Sequence, residues 1–150
     1  LLTKYIYAGK VNFIDKKITY DSYDTNGNII QFTSENGIST TIIWGYNKTL
    51  PIAKIENATN NQVSSYIANL QSLSNTGTET QLIAALNSLR DSLPNAMVTT
   101  YTHLPLVGVS TITDPKGDAI TYIYDSFNRL KEVKDRNGNK LSENEYHYKP

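Results

Sequence analysis

Apolar and polar residues alternate along the first third of the chain. Tyr5 and Tyr7 fall on one face of an expected strand, and Ile42, Trp44 and Tyr46 on one face of another, as a period of two requires. Across 59–93 the period lengthens to that of a helix. Val63, Tyr66, Ile67 and Leu70 recur at spacings of three and four, and so do Leu82, Leu86, Leu89 and Leu93. Two amphipathic helices are predicted, broken at Ser74-Asn75-Thr76-Gly77. Thr78 with Gln81 stands at capping-box spacing, Thr76 with Glu79 is a competing register, and Pro94 closes the second helix. The strand pattern returns at 97–103, 106–113, 119–124, 129–134 and 140–148. The expected fold is α+β, mainly β: an antiparallel twisted sheet of β-hairpins with an inserted two-helix hairpin. The expected divisions are 1–58, 59–94 and 95–150.

The strand zones repeat. Tyr23-Asp24-Thr25-Asn26-Gly27-Asn28-Ile29 aligns with Tyr124-Asp125-Ser126-Phe127-Asn128-Arg129-Leu130, and further on Phe32 meets Val133, Ser34 meets Asp135 and Gly37 meets Gly138. A degenerate third copy has Val109, Ile112, Asp114 and Gly117 in these places, with Leu106-Val107 where Tyr-Asp is expected. The unit is about twenty residues long, one hairpin per unit. Its punctuation is turn chemistry. Asp24, Ser34, Asp114 and Asp135 open four-residue turns that close on Gly27, Gly37, Gly117 and Gly138. A side-chain oxygen at the first position caps the turn amides, and the last position takes a positive φ. Asp125 to Asn128 fits the same form, because Asn also tolerates that conformation. Leu130 and Val133, three apart, cannot share a face of a flat strand, so a bulge is expected between them.

These residues resemble the RHS/YD repeat: Tyr124-Asp125, Asn128-Arg129-Leu130, Val133, Asp135 and Gly138, with a second copy beginning at Tyr23-Asp24. Such repeats occur in bacterial rearrangement-hotspot proteins, insecticidal toxin complexes and animal teneurins. IIWGYNKTLPIAKIENA and VTTYTHLPLVGVSTITDPKG also look like the region before the terminal repeats of large RHS proteins of Bacteroidetes type. The resemblance implies a long antiparallel ribbon that spirals into a shell around a C-terminal toxic domain. The expected partners are then neighbouring repeats, or the C-terminal domain of the same polypeptide. Two or three units cannot close a shell, so free strand edges, and self-association through them, are expected. The helical hairpin is expected to cover an edge or a face.

Composition narrows the alternatives. Fourteen basic and fourteen acidic residues leave a formal net charge of +0, which argues against a nucleic-acid partner held by bulk electrostatics. Cys is absent, so disulfides and thiol chemistry are excluded. No apolar run is long enough to span a membrane, and no membrane insertion is expected. The start at Leu1, without an initiator Met or signal peptide, reads as a piece of a longer secreted or cell-surface bacterial protein.

Candidate chemistry is sparse. His103 and His147 are the two histidines and read as strand residues; Asp125 reads as a turn carboxylate, and Asp114-Pro115-Lys116-Gly117 as a turn. No Gly-x-Ser-x-Gly or phosphate loop is present, so no catalytic residue, metal or cofactor is expected. Eleven tyrosines are the feature with a binding alternative. Trp44, Tyr122 and Tyr148, on a sheet with Tyr5, Tyr7, Tyr124 and Tyr146, would stack on sugar rings in an adhesin-like module. The expected function is therefore a non-catalytic structural module, with glycan binding as its alternative.

Overall fold

The computed structural model describes residues 3–8 and 11–147, with side chains from Lys17 onward. β1 (Thr3–Ala8) and β2 (Val11–Lys16) pair as an antiparallel two-stranded sheet. The other strands are β3 (Ile18–Tyr23), β4 (Ile29–Ser34), β5 (Ser39–Gly45), β6 (Leu50–Glu56), β7 (Met97–Leu104), β8 (Gly108–Thr113), β9 (Ala119–Tyr124), β10 (Leu130–Lys134) and β11 (Lys140–Glu143). They form one antiparallel sheet in strict chain order, β3 to β11. Between β6 and β7 stand α1 (Asn60–Thr76) and α2 (Glu79–Ser92). The fold is α+β, mainly β.

Sequential order follows from short connections, because antiparallel neighbours need only a tight turn. The turns fall in two rows. At one end of the sheet lie those at Asp24, 46–49, 104–107 and Asp125; at the other lie those at Ser34, Asp114 and Asp135, with the helical hairpin in place of one. The helices therefore replace a single turn and leave the sheet continuous around them.

They pack on a face, α1 against β5 and α2 against β7. Ile43–Ala53–Thr100 and Thr41–Ile55–Val98 run in register across β5, β6 and β7. Val63, Leu70, Leu82, Leu86 and Leu89 close over them to form the buried core. Each such side chain contributes about 1.5–3 kcal/mol by leaving water, so stability concentrates beneath the insert. The polar members of the rows, and Thr102 further along β7, are satisfied. Thr41 Oγ1 donates to Ala58 O (2.9 Å), Thr100 Oγ1 accepts from Arg90 Nη2 (3.0 Å), and Thr102 Oγ1 donates to Glu79 Oε1 (2.6 Å). Arg90 and Glu79 thus bolt the two ends of α2 to β7.

The Thr78–Gln81 capping box forms at α2, with Gln81 N donating to Thr78 Oγ1 (3.3 Å) and Thr78 N to Gln81 Oε1 (2.9 Å); the Thr76–Glu79 register is not used. Four local expectations are corrected. The alternation of Ile42, Trp44 and Tyr46 breaks, because a bulge falls between Ile43 and Trp44 and Tyr46 lies in a left-handed turn. The strand expected from Leu106 starts at Gly108, since Pro105 and Leu106 (φ 64°) form the turn after β7. The strand expected to reach Tyr148 ends at Glu143, where the chain leaves the ladder and Asn144 N donates to Lys131 O (2.9 Å). The first turn of the degenerate copy is 104–107, not a unit headed by Leu106-Val107. The bulge expected between Leu130 and Val133 is present, between Leu130 and Glu132.

Candidate functional site

Four turns opened by Asp are built alike. In the turn at Asp125, Asn128 N donates to Asp125 O (3.0 Å) and Asp125 N to Arg129 O (2.8 Å). The carboxylate closes the arch from inside: Oδ1 accepts from Phe127 N (2.8 Å) and Arg129 N (3.0 Å). Asp24, Asp114 and Asp135 hold the amides two and four residues on in the same way. The closing residue takes the left-handed conformation at Gly27, Gly37, Gly117, Gly138 and Asn128. Ser34 differs: its hydroxyl donates to Asn36 Oδ1 (2.8 Å) and Ile38 O (3.0 Å), and the Asn36 side chain accepts the Ile38 amide instead.

The residue after the turn has a role that the sequence pattern alone did not assign. Asn28 Nδ2, Arg129 Nε and Asn139 Nδ2 donate to the second carboxylate oxygen of Asp24, Asp125 and Asp135, at 3.0, 2.8 and 2.9 Å. These bonds favour the charged carboxylate. At Asp125 the backbone bond from Arg129 leads, partial burial opposes it, and the net shift is below the ordinary Asp value. At Asp135 the Asn139 side chain leads in the same direction. At Asp24 partial burial pushes upward and is outweighed by the bonds from Asn28 and Asn26.

A second device joins one hairpin to the next. Tyr124 Oη donates to Val109 O (2.8 Å), Trp44 Nε1 to Ile29 O (2.9 Å) and Tyr146 Oη to Leu130 O (2.9 Å). The His103 ring is 2.9 Å from Pro51 O through Nε2, and a carbonyl only accepts, so that nitrogen carries the proton. The four bonds share one geometry. Continuing the observed registers, Val109 lies across from Ile123, Ile29 from Ile43, Pro51 from Thr102 and Leu130 from Glu145. Each donor is the next residue. A ring at the head of one unit thus latches the first strand of the unit before it, across the seams β4/β5, β6/β7, β8/β9 and β10/β11.

Gly108 makes room for one of these rings, since a Cβ there would collide with the Tyr124 hydroxyl. At the last seam Arg129 lies over the Tyr146 ring, 4.1 Å from its centroid, with Phe127 5.2 Å away. Trp44 stands twenty-one residues after Tyr23, and His103 twenty-one before Tyr124. Both occupy the Tyr place of a Tyr-Asp pair, followed by Gly45 and Leu104 instead of Asp. The spacing was the signal for two further units, and the changed partner residues hid it.

The unit headed by Trp44 has the most distorted turn. Tyr46, Asn47 and Lys48 are all left-handed, with φ of 49, 57 and 60°. The end of α1 holds them: Tyr46 N donates to Ser74 Oγ (2.9 Å) and Asn47 N to Asn75 Oδ1 (2.7 Å). Gly45 permits this approach, because a Cβ there would stand 2.6 Å from Ser74 Oγ. Tyr46 Oη in turn accepts from His103 N (2.9 Å), and burial raises its pKa.

Residues 108–140 match the family model described as RHS Repeat. The chain carries an RHS repeat. The match begins at the glycine beneath Tyr124 and runs through the Asp114, Asp125 and Asp135 turns, so it covers one full seam. No curated protein matches the chain.

Among the glycan-stacking candidates, the Trp44 indole N–H is engaged at its seam and Tyr122 is half-buried, paired across from Val133. Tyr148 lies outside the described residues, as do the side chains of Tyr5 and Tyr7. His147 is exposed, with Glu145 3.4 Å away. Among the described residues no group of His, Asp and Glu is placed to hold a metal ion.

Proposed function

We propose that the chain is a non-catalytic structural module of a large secreted or cell-surface RHS protein, extending a β-shell or stalk that serves toxin delivery or contact with another cell. Four units follow one another in a single sheet, headed by Tyr23, Trp44, His103 and Tyr124. One observation carries the reading: apart from the exposed His147, the polar side chains that a catalytic hypothesis would use are engaged in turns and seams. Asp24, Asp125 and Asp135 are saturated by their own turns, and His103, Trp44, Tyr124 and Tyr146 by neighbouring carbonyls. Among the described residues no helix is long and apolar enough to cross a membrane. The module works by adding hairpins in a fixed register, as repeat proteins do.

Electron microscopy of the whole protein that contains this sequence tests the proposal. Residues 17–147 are expected within the wall of a β-ribbon; finding them as a separate globule outside any ribbon would overturn it.

A further inference from the structure

Three of the tight turns close on an Asn-Gly pair: Asn26-Gly27, Asn36-Gly37 and Asn137-Gly138. The Asn is exposed each time, and the glycine after it is left-handed, with φ of 84, 81 and 83°. Asn is a labile side chain, and most so before Gly, whose amide nitrogen no side chain shields. Yet the three carboxamides are held differently. Asn36 Oδ1 accepts from Ser34 Oγ (2.8 Å) and from Ile38 N (3.2 Å). In the other two turns Asp24 and Asp135 take the amides instead, and among the described residues the Asn26 and Asn137 carboxamides have no hydrogen-bond partner. We propose that Asn26 and Asn137 are sites of modification by deamidation, and that the Ser34 turn protects Asn36 from the same reaction.

The step needs only solvent water. The glycine amide gives its proton to hydroxide, and its nitrogen attacks Cγ of the asparagine. The N–Cγ bond forms, the Cγ–Nδ2 bond breaks, and ammonia leaves with a proton taken from water. Water then opens the cyclic imide at either carbonyl, leaving aspartate or isoaspartate, the latter with its main chain running through the side-chain carbon. Attack requires the carboxamide to swing onto the next nitrogen. Asn36 must first release two bonds, whereas Asn26 and Asn137 release none. The glycine amides do not separate the sites, because all three donate alike to the carbonyl that opens their turn, at 3.1, 2.9 and 3.0 Å. The Asp114 and Asp125 turns carry Lys116-Gly117 and Phe127-Asn128 at these places and lack the reacting pair. The open sites thus fall on β3–β4 and β10–β11, the two outermost hairpins of the nine-stranded sheet. Isoaspartate adds a carbon to a four-residue turn, and either product sets a new carboxylate beside Asp24 or Asp135, so these hairpins loosen as the protein ages.

Peptide mapping of the full chain by mass spectrometry, after incubation in mildly alkaline buffer, reads each site as a gain of one mass unit. Asn26 and Asn137 are expected to convert about tenfold faster than Asn36, the share of two hydrogen bonds at their low net value. The same incubation in concentrated urea is expected to bring the three rates together, since unfolding leaves three equivalent Asn-Gly pairs. Lys116→Asn writes the pair into the Asp114 turn, where Asp114 Oδ1 already holds the amides of residues 116 and 118, and is expected to make that turn react as fast as Asn137. Equal rates at the three sites of the folded chain would overturn the proposal, because sequence alone would then decide. An inert Asp114 turn in Lys116→Asn would overturn it as well. So would a faster Asn36, whose two donors would then assist the attack by stabilising the developing oxyanion.

Discussion

Tyr124 Oη sits 2.8 Å from Val109 O with its ring over Gly108, so one side chain joins two consecutive repeat units and dictates the residue beneath it. Tyr124→Phe keeps the ring and is expected to lower stability by about 1 kcal/mol, the net value of one hydrogen bond. Gly108→Ala drives a methyl into the hydroxyl and is expected to cost about 1–3 kcal/mol, as overpacking does. Urea unfolding checks both. The sharper readout is coupling: the Gly108→Ala penalty should shrink in a Tyr124→Ala background, and full additivity would show that the two residues do not share the seam.

The turn carboxylates make stability depend on acid. Asp24, Asp125 and Asp135 have pKa values lowered in the folded state, so the unfolded chain binds more protons as pH falls. Their contribution is fully present above the ordinary Asp value and is lost as pH falls through the lower folded values. Urea midpoints measured downward from pH 5 should therefore decline, and Asp125→Asn, which removes the charge facing Arg129, should flatten part of that decline. An unchanged slope would mean that Asp125 titrates as in the unfolded chain.

The left-handed run Tyr46-Asn47-Lys48 depends on the helical insert, because its amides are held by Ser74 and Asn75. Asn75→Ala is expected to remove about 1 kcal/mol and to speed hydrogen exchange at Asn47 more than in the α1 interior. Equal acceleration throughout α1 would place the effect in the helix rather than in the loop.

Leu106 is fully exposed with φ 64°, a conformation that carries a penalty of about 1–2 kcal/mol for a residue with a Cβ. Leu106→Gly relieves it at the expense of a looser unfolded chain, so a net rise in stability of about 0.5–1 kcal/mol is expected in thermal unfolding. A loss would mean that the Leu106 side chain has a packing role that its exposure does not reveal.

Much of this architecture was legible in the order of residues. Turn chemistry is local, so Asp125 with Asn128 and Asp135 with Gly138 announce their hairpins, and the change of period at 59 announces the helices. What stayed hidden depends on neighbours distant in the chain. Trp44-Gly45 and His103-Leu104 head units without the Asp, and Gly45 stands where it does because Ser74, twenty-nine residues on, comes within contact. The latch itself is a ring meeting a backbone carbonyl, and a carbonyl has no residue type to recognise. Tyr146 was expected inside a strand, yet it lies beyond the end of β11 and its hydroxyl donates to Leu130 O.

Four ring-latched units behave as a linear array in which each seam is a local bond between neighbours. Native-state hydrogen exchange of the parent chain and Tyr124→Phe tests it most directly. Protection is expected to be highest in β5 to β7 beneath the helices and to fall toward β3 and β11, with Tyr124→Phe loosening β9 to β11 and leaving β4 to β6 unchanged. Equal loss of protection across all nine strands would contradict it.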